Sequence, residues 1–308
     1  AYVRQLHEEN DLPAGNLATH STFAQSLTES VALVDNCLLL VSLPASEVSQ
    51  GSDIRADDLE VGGERGKTAL DSLSKIVSRV SDPWKPASAD EGFEIVRRRL
   101  FKDMDPLDSN AKDIVIKAYS ELYQVQKDAF PLESQEKAYI ERMEASYPFH
   151  PELFDRLYQD WSTLPKFQRT RGVLRLMASV INNLWENGDK SPLIMPCNIS
   201  IDDPKVQNEM LQYLTENWVP IIESDVDGPN ALPLKLDREI PNFGKISGTR
   251  RIARTIYLGS APTMAAANTG IDIRRINLGC VIPGEKPSIF GDALRRLTLD
   301  ATYMYQGD

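Results

Sequence analysis

The stretch SADEGFEIVRRRLF, residues 88–101, marks the point at which the chain turns helical. Ser88 stands three residues before Glu91, which is the spacing of a capping box, where each side chain bonds to the backbone of the other residue. Phe93, Val96 and Leu100 then follow along one helical stripe. This pattern predicts an amphipathic helix that begins after Ser88 and buries one face.

Patterns of the same kind continue downstream. Apolar residues at helical spacing predict further helices at residues 109–127, 133–145, 150–164 and 170–187. Short apolar runs and proline-rich connections follow, as in DGPNALPLKLDREIPNFG. We therefore predict a helical bundle over residues 83–190 and an irregular connecting segment over residues 191–246.

The part of the chain before residue 83 has a mixed character. Phe23, Leu27 and Val31 recur at helical spacing and predict a helix packed on one face. CLLLVSL, residues 37–43, is nearly all apolar, which fits a strand buried on both faces in a parallel sheet. RGKTALDSLSKIVSRV, residues 65–80, then predicts another amphipathic helix. The predicted fold class is therefore α/β and predominantly α, with residues 1–82 as part of an α/β core.

The last 62 residues show a third pattern. A helical segment at 247–259, an extended RRINLGCVI at 274–282, a helical segment at 288–301 and an extended TYMYQ at 302–306 follow one another. This order predicts a winged-helix-like module over residues 247–308.

Composition limits the classes of function. The 308 residues carry a net charge of −11, which argues against a protein that coats nucleic acid or adheres to an anionic membrane. Cys37, Cys197 and Cys280 are far apart in apolar contexts, which predicts reduced core thiols in a cytoplasmic protein. There is no run of roughly 20 apolar residues to span a membrane, and no signal peptide opens the sequence.

The segment GGERGKT, Gly62 to Thr68, imitates a phosphate-binding loop. The P-loop pattern requires a glycine five residues before Gly66, and Val61 stands there instead. The residues before it are acidic and do not form a buried strand. We interpret this segment as a surface loop rather than a nucleotide site.

Several motifs resemble the second half of an AAA+ ATPase core. LLLVSLPAS, residues 38–46, resembles the sensor-1 strand, and SKIVSR, residues 74–79, resembles the helix that ends in the arginine finger. PASADEGFEIVRRRL, residues 86–100, resembles the start of the helical lid, and RTRGVLRLM, residues 169–177, resembles the lid helix with the sensor-2 arginine. The resemblance implies that residues 83–190 are the lid.

Two longer stretches, residues 147–185 and 288–305, resemble a prokaryotic family of large AAA+-like ATPases encoded beside DNA methyltransferases in phage-defence neighbourhoods. In that family the P-loop and the Walker B strand precede the region that the chain resembles. The resemblance implies that the chain is a fragment of a protein that uses ATP and Mg²⁺, and that the fragment alone binds neither and is inactive. It also implies a homo-oligomer and DNA or a DNA methyltransferase as partner.

The resemblance assigns roles to individual residues. Arg79 would be the arginine finger acting in trans, and the alternative is a solvated arginine at a helix end. Arg171 would be the sensor-2 residue, with Arg169 in its place if the register shifts by two; both could instead pair with the acids of residues 151–160. Ser42 and Ser46 are weaker sensor-1 candidates, with core packing or loop capping as the alternative. No metal site is predicted, because His7, His20 and His150 have no partners at ligand spacing.

The C-terminal residues are basic in an acidic protein. Residues 245–308 contain nine Lys or Arg and five Asp or Glu, a balance of +4, against −15 for the remainder. Such a local field is what contact with DNA phosphates requires. The alternative is that these arginines bridge to the acidic bundle or to another subunit. The candidate DNA-binding residues are Arg250, Arg251, Arg274, Arg275, Arg295 and Arg296, with Arg254 beside them.

Overall fold

The computed structural model describes residues 17–42, 71–79, 89–102, 106–164, 167, 169–214, 217–263 and 270–307. The chain divides into two compact units, Ala1–Pro86 and Ala87–Asp308. The described residues are predominantly helical, which confirms the predicted excess of α structure. Their β structure is one isolated parallel bridge between Phe149 and Ile194. The AAA+-like core, the winged helix and the domain boundaries stay predictions.

In the first unit, helix α1 spans Leu17–Ala32, and residues 71–77 are also helical, as predicted. The prediction of a buried strand at residues 37–43 is wrong for residues 37–42, which are irregular. The side chains of Leu38 and Leu40 are more than four-fifths exposed. A strand needs a paired neighbour for its backbone groups, and none of the described residues supplies one.

The second unit contains the bundle predicted from the sequence. Its first helices are α2 Ala89–Leu100, α3 Pro106–Val125, α4 Lys137–Ser146, α5 Pro151–Asp155 and α6 Arg169–Glu186. Helix α5 continues as a π-helical turn, Arg156–Asp160, and a 3₁₀ turn, Trp161–Thr163. The predicted helices at 109–127, 133–145, 150–164 and 170–187 are confirmed within a few residues at their ends.

The other α-helices of the described residues come later in the chain. They are α7 Pro204–Leu211, α8 Val219–Ile221, α9 Leu232–Glu239, α10 Pro241–Gly244, α11 Gly248–Ser260, α12 Ile273–Cys280 and α13 Pro287–Asp300. Helix α8 runs into a second π-helical turn, Ile222–Val226, and a 3₁₀ turn covers Pro196–Asn198. Helix α11 packs against this 3₁₀ turn and against α9, α12 and α13, so it lies at the centre of the unit.

Two extended segments predicted near the C-terminus are wrong. Residues 274–282 lie mostly in helix α12, because Asp272 caps it by accepting bonds from the backbone N–H groups of Arg274 and Arg275. Their alternating apolar residues imitate a strand, yet Ile276 to Cys280 are all buried within the helix. The segment 302–306 is irregular.

Helix α11 begins with an unusual cap. Ser247 precedes it in a left-handed conformation, with φ 48°, and its side chain makes no cap bond. Asp237 in α9 caps the helix instead, accepting from the N–H groups of Thr249 at 2.9 Å and Arg250 at 3.2 Å. Helix α10, which lies between them in the chain, also approaches α9 closely, since a Cβ atom at Gly244 of α10 would lie 2.3 Å from the Asp237 carbonyl oxygen. Only glycine fits there.

One hydrophobic core runs through the second unit. Phe93 of α2 stacks on Phe154 of α5 with ring centroids 4.5 Å apart, and Phe154 also meets Phe149 edge to face. Trp161 is fully buried and donates from Nε1 to the Leu258 carbonyl at 2.8 Å. The bundle and the C-terminal helices therefore share their packing as well as their hydrogen bonds.

Candidate functional site

Three of the residues with predicted nucleotide roles, Ser42, Arg79 and Arg171, are described with their side chains, and all three are exposed. Arg79 is exposed just after the helical residues 71–77, and Arg171 is exposed in the first turn of α6. Ser42 is exposed and irregular. Ser46 lies outside the described residues, and of Arg169 only the backbone at the start of α6 is described. The assigned roles stay predictions.

The arginines predicted to contact DNA fall into two groups. Arg250, Arg251 and Arg275 turn inward and form ion pairs with acids that are mostly buried. Arg274, Arg295 and Arg296 are not buried, and the last two pair with Asp292 and Asp300 on their own helix. Arg275 pairs with acids of the bundle, Glu133 and Glu152, as in the alternative to DNA contact. Arg250 pairs instead with Asp227 of the segment 191–246, and Arg251 pairs with Glu285 of its own C-terminal segment.

Glu152 anchors the first buried ion-pair cluster. Its side chain has no exposed surface and accepts a hydrogen bond from Arg275 of α12 at 2.7 Å. Arg156, one turn along the same helical segment, approaches the other carboxylate oxygen at 2.9 Å and also pairs with Asp160 at 2.6 Å. Arg275 reaches Glu133 as well, at 2.7 Å. We call Glu133, Glu152, Arg156, Asp160 and Arg275 the Glu152 cluster.

Burial raises the pKa of Glu152 to about 7, and the neighbouring Arg156 and Arg275 offset only part of that rise. Burial also raises the pKa of Asp160 above its ordinary value. Two arginines therefore face a carboxyl group that changes charge near neutral pH, and charge pairing alone does not fully compensate for its desolvation.

A histidine and two tyrosines lie beside this cluster. His150 caps α5 by accepting at Nδ1 from the N–H of Glu152, so its Nε2 carries the proton and donates to the Tyr123 hydroxyl at 2.8 Å. Burial lowers the pKa of His150 to about 3, which keeps the ring neutral. His150 is thus the N-cap residue of α5. The Tyr139 hydroxyl is buried nearby without a hydrogen-bond partner.

A second buried cluster joins α11 to the turns before it. Asp227 is completely buried and accepts from Arg250 Nε at 3.1 Å, from Arg250 Nη2 at 2.8 Å and from Arg254 Nε at 2.6 Å. Asp202, in the turn before α7, meets an Nη2 group of each arginine at 3.3 Å. We call Asp202, Asp227, Arg250 and Arg254 the Asp227 cluster. Both arginines lower the pKa of Asp227, against the effect of its burial.

Arg251 forms a third internal connection. It pairs with Glu285 at 2.7 Å, donates to the Cys280 carbonyl and lies over the Phe290 ring. Cys197 and Cys280 are buried free thiols, and burial raises the pKa of both. Cys37 is exposed, so the prediction that it is a core thiol is wrong. The apolar residues that follow it are not packed into a described core.

These clusters are suited to holding helices together rather than to catalysis. Their charged groups point at one another, and the described residues contain no group of three or more His, Cys, Asp or Glu side chains placed to hold a metal ion. The sequence patterns do not predict the buried ion pairs of Glu152, Asp202 and Asp227. A detectable signal for Glu152 was an acid on the apolar face of a helix, between Phe149 and Leu153. Such an acid is seldom buried without a charged partner.

Residues 87–271 match a protein family described as the DUF499 second domain. No curated protein and no solved structure matches the chain. None of the helices described in the structure combines the length and apolar composition needed to cross a bilayer.

Proposed function

The chain belongs to the DUF499 family, and we propose that residues 87–308 act as a rigid helical part of an ATP-binding and ATP-hydrolysing AAA+-like protein, to whose nucleotide site they contribute Arg171. The observation that carries this proposal is the Glu152 cluster, in which Arg275 of α12 pairs with Glu133 and with the buried Glu152 of the bundle. Helices that are connected in this way are expected to move together as one rigid body.

The nucleotide would act on this body through Arg171. An exposed guanidinium in the first turn of a helix suits a phosphate, because the positive end of the helix dipole favours an anion at the same place. Helix α6 packs on α2 and α7, and Arg175 pairs with Glu209 of α7 at 3.0 Å. A shift at Arg171 would therefore reach the neighbouring helices.

The groups that hold ATP and Mg²⁺ would come from the upstream half of the parent protein. Bound ATP would supply the phosphoryl group that water attacks, and Arg79 and Arg171 would stabilise the charge on it. Arg79 would act across a subunit boundary, which requires a homo-oligomer. A cytoplasmic role in DNA modification or phage defence, with a DNA methyltransferase as partner, completes the proposal and rests on the family resemblance.

The test uses the parent protein with its upstream half. Arg171→Ala and Arg79→Ala are each expected to lower kcat by about 10² or more. Arg238→Ala, at an exposed arginine of α9 to which no role is assigned, is the control and should retain wild-type turnover. Mixing Arg79→Ala with a P-loop mutant should restore activity, because each subunit then supplies the part that the other lacks. Wild-type turnover in both arginine variants would refute the assignment.

A second candidate function is DNA binding or protein interaction without catalysis. It is favoured by Arg295 and Arg296 on α13, whose side chains are 76% and 51% exposed. The double variant Arg295→Ala/Arg296→Ala should then weaken duplex binding at low salt, and wild-type binding should fall steeply as salt rises. If the wild-type chain does not bind duplex DNA at low salt, the proposal that this chain binds DNA is refuted.

A further inference from the structure

The two carboxylates of the Asp227 cluster have different environments. Asp227 is completely buried and binds the Nε edges of both arginines at 2.6 and 3.1 Å. Asp202 is 39% exposed and meets the Nη2 group of each arginine at 3.3 Å, and Arg250 Nη2 also donates to Asp227 at 2.8 Å. Asp227 thus fixes the direction of the two guanidinium groups, and Asp202 occupies the place to which both of them point.

Asp202 is a replaceable partner in this arrangement. The helix that follows it, α7, is capped by Asp203, which accepts from the N–H groups of Lys205 and Val206 at 3.0 Å each. Turning the Asp202 side chain outward therefore leaves this cap in place. Burial and the neighbouring Asp227 also raise the pKa of Asp202, so the ionised form of its carboxyl group is less favoured here than in water.

We propose that the outer edges of Arg250 and Arg254 form a phosphate-binding site in which Asp202 is the resident competitor. When Asp202 leaves, two arginines and one aspartate remain, with a net charge of +1. Paired guanidinium groups suit a phosphate, which offers more acceptor oxygens and more negative charge than a carboxylate. This site goes beyond the proposed function, because it lies apart in sequence from Arg171 and needs no ATPase activity.

The first test is phosphate binding to the full chain, measured by calorimetry at constant ionic strength with chloride as the reference anion. Asp202→Asn should bind inorganic phosphate about tenfold or more tightly than wild type, since the wild-type protein must first displace a carboxylate that is paired with both arginines, at a cost of about 1.4 kcal/mol or more. Asp292→Asn is the matched control: it makes the same change in charge at an exposed acid that also pairs with an arginine at 3.3 Å. Its phosphate affinity should equal that of wild type.

A second variant guards against an indirect effect of Asp202→Asn. In the triple variant Asp202→Asn/Asp227→Asn/Arg250→Gln no buried carboxylate loses its partner, yet only one guanidinium remains. The gain in phosphate affinity should disappear. If Asp202→Asn gains no affinity, or if the triple variant keeps the gain, the proposal is overturned.

A short DNA duplex distinguishes the source of the phosphate. If Asp202→Asn also binds duplex more tightly than wild type, and the triple variant does not, the site reads a nucleic-acid backbone. If only inorganic phosphate responds, the site takes a small phosphorylated ligand. Both outcomes support a phosphate site.

Discussion

Arg275 and Arg274 are sequence neighbours with different environments. The Arg275 guanidinium lies between Glu152 and Glu133, at 2.7 Å from each, whereas the Arg274 side chain is exposed. Glu152 itself has no exposed surface. Loss of one partner from a buried ion pair is costly because the remaining charge stays desolvated. The pair of arginines therefore offers an internal comparison.

We predict that Arg275→Ala lowers the free energy of unfolding by about 2–4 kcal/mol at pH 8, where Glu152 is ionised. Arg274→Ala should change it by no more than about 0.5 kcal/mol, as is usual for an exposed residue. Urea unfolding of the full chain measures both. Equal effects of the two substitutions would show that the Glu152 cluster does not stabilise the fold.

His150 and Glu152 make opposite contributions to the pH dependence of stability. The folded pKa of His150 is about 3, below its ordinary 6.5, so stability is lost as pH falls below 6.5. The folded pKa of Glu152 is about 7, above its ordinary 4.5, so stability is lost as pH rises from 4.5 to 7. Between pH 4.5 and 6.5 the two effects oppose each other.

Replacement of His150 should leave the pH dependence that Glu152 causes without an opposing effect. In His150→Asn, which keeps a side chain able to cap α5, the free energy of unfolding should change relative to wild type by about 1.4 kcal/mol per pH unit between pH 5 and 6.5. The variant becomes less stable relative to wild type as pH rises. Urea unfolding at several pH values tests this, and a constant difference between the proteins would contradict the assigned pKa of His150.

At the scale of elements, the packing of α12 on α11 depends on Gly279. A Cβ atom there would lie 2.6 Å from Thr255 Cγ2 of α11 and 3.2 Å from Pro196 Cγ. Gly291, in α13, has nothing within 4 Å of the corresponding position. Both glycines lie inside helices, so alanine helps the backbone at each site, and only the packing differs.

We therefore predict that Gly279→Ala lowers the free energy of unfolding by about 1–3 kcal/mol through overpacking. Gly291→Ala should raise it by up to about 1 kcal/mol. Thermal and urea unfolding of the two variants give the comparison. A neutral or stabilising Gly279→Ala would mean that α12 is not held against α11 as described.

The elements also show what the sequence could predict. Long helices with one apolar stripe, such as α3 and α6, were found because their periodicity spans several turns. Residues 274–282 were misread because INLGC alternates over only five residues, and the Asp272 cap outweighs that pattern. The buried clusters could not be predicted from the sequence, because Glu152 and Arg275 are 123 residues apart and only tertiary contacts bring them together.

At the scale of the whole molecule, the described residues of the second unit are joined by a continuous set of buried contacts. The Trp161 indole binds the Leu258 carbonyl, and the Asn277 amide donates to the Ala129 carbonyl at 3.0 Å. Arg275 adds the ion pair to Glu133. Segments that the sequence assigns to different modules are thus tied by buried polar contacts as well as by the shared hydrophobic core. This is the basis of the proposed rigid body.

The most direct test is amide hydrogen exchange of the full chain, followed by mass spectrometry in increasing, sub-denaturing urea. A rigid body should open cooperatively, so the amides of α3 and α5 and those of α11 and α12 should reach the same opening free energy with the same urea dependence. If α11 and α12 instead exchange through an opening of lower free energy while α3 and α5 stay protected, the C-terminal helices form a separate module and the account is contradicted.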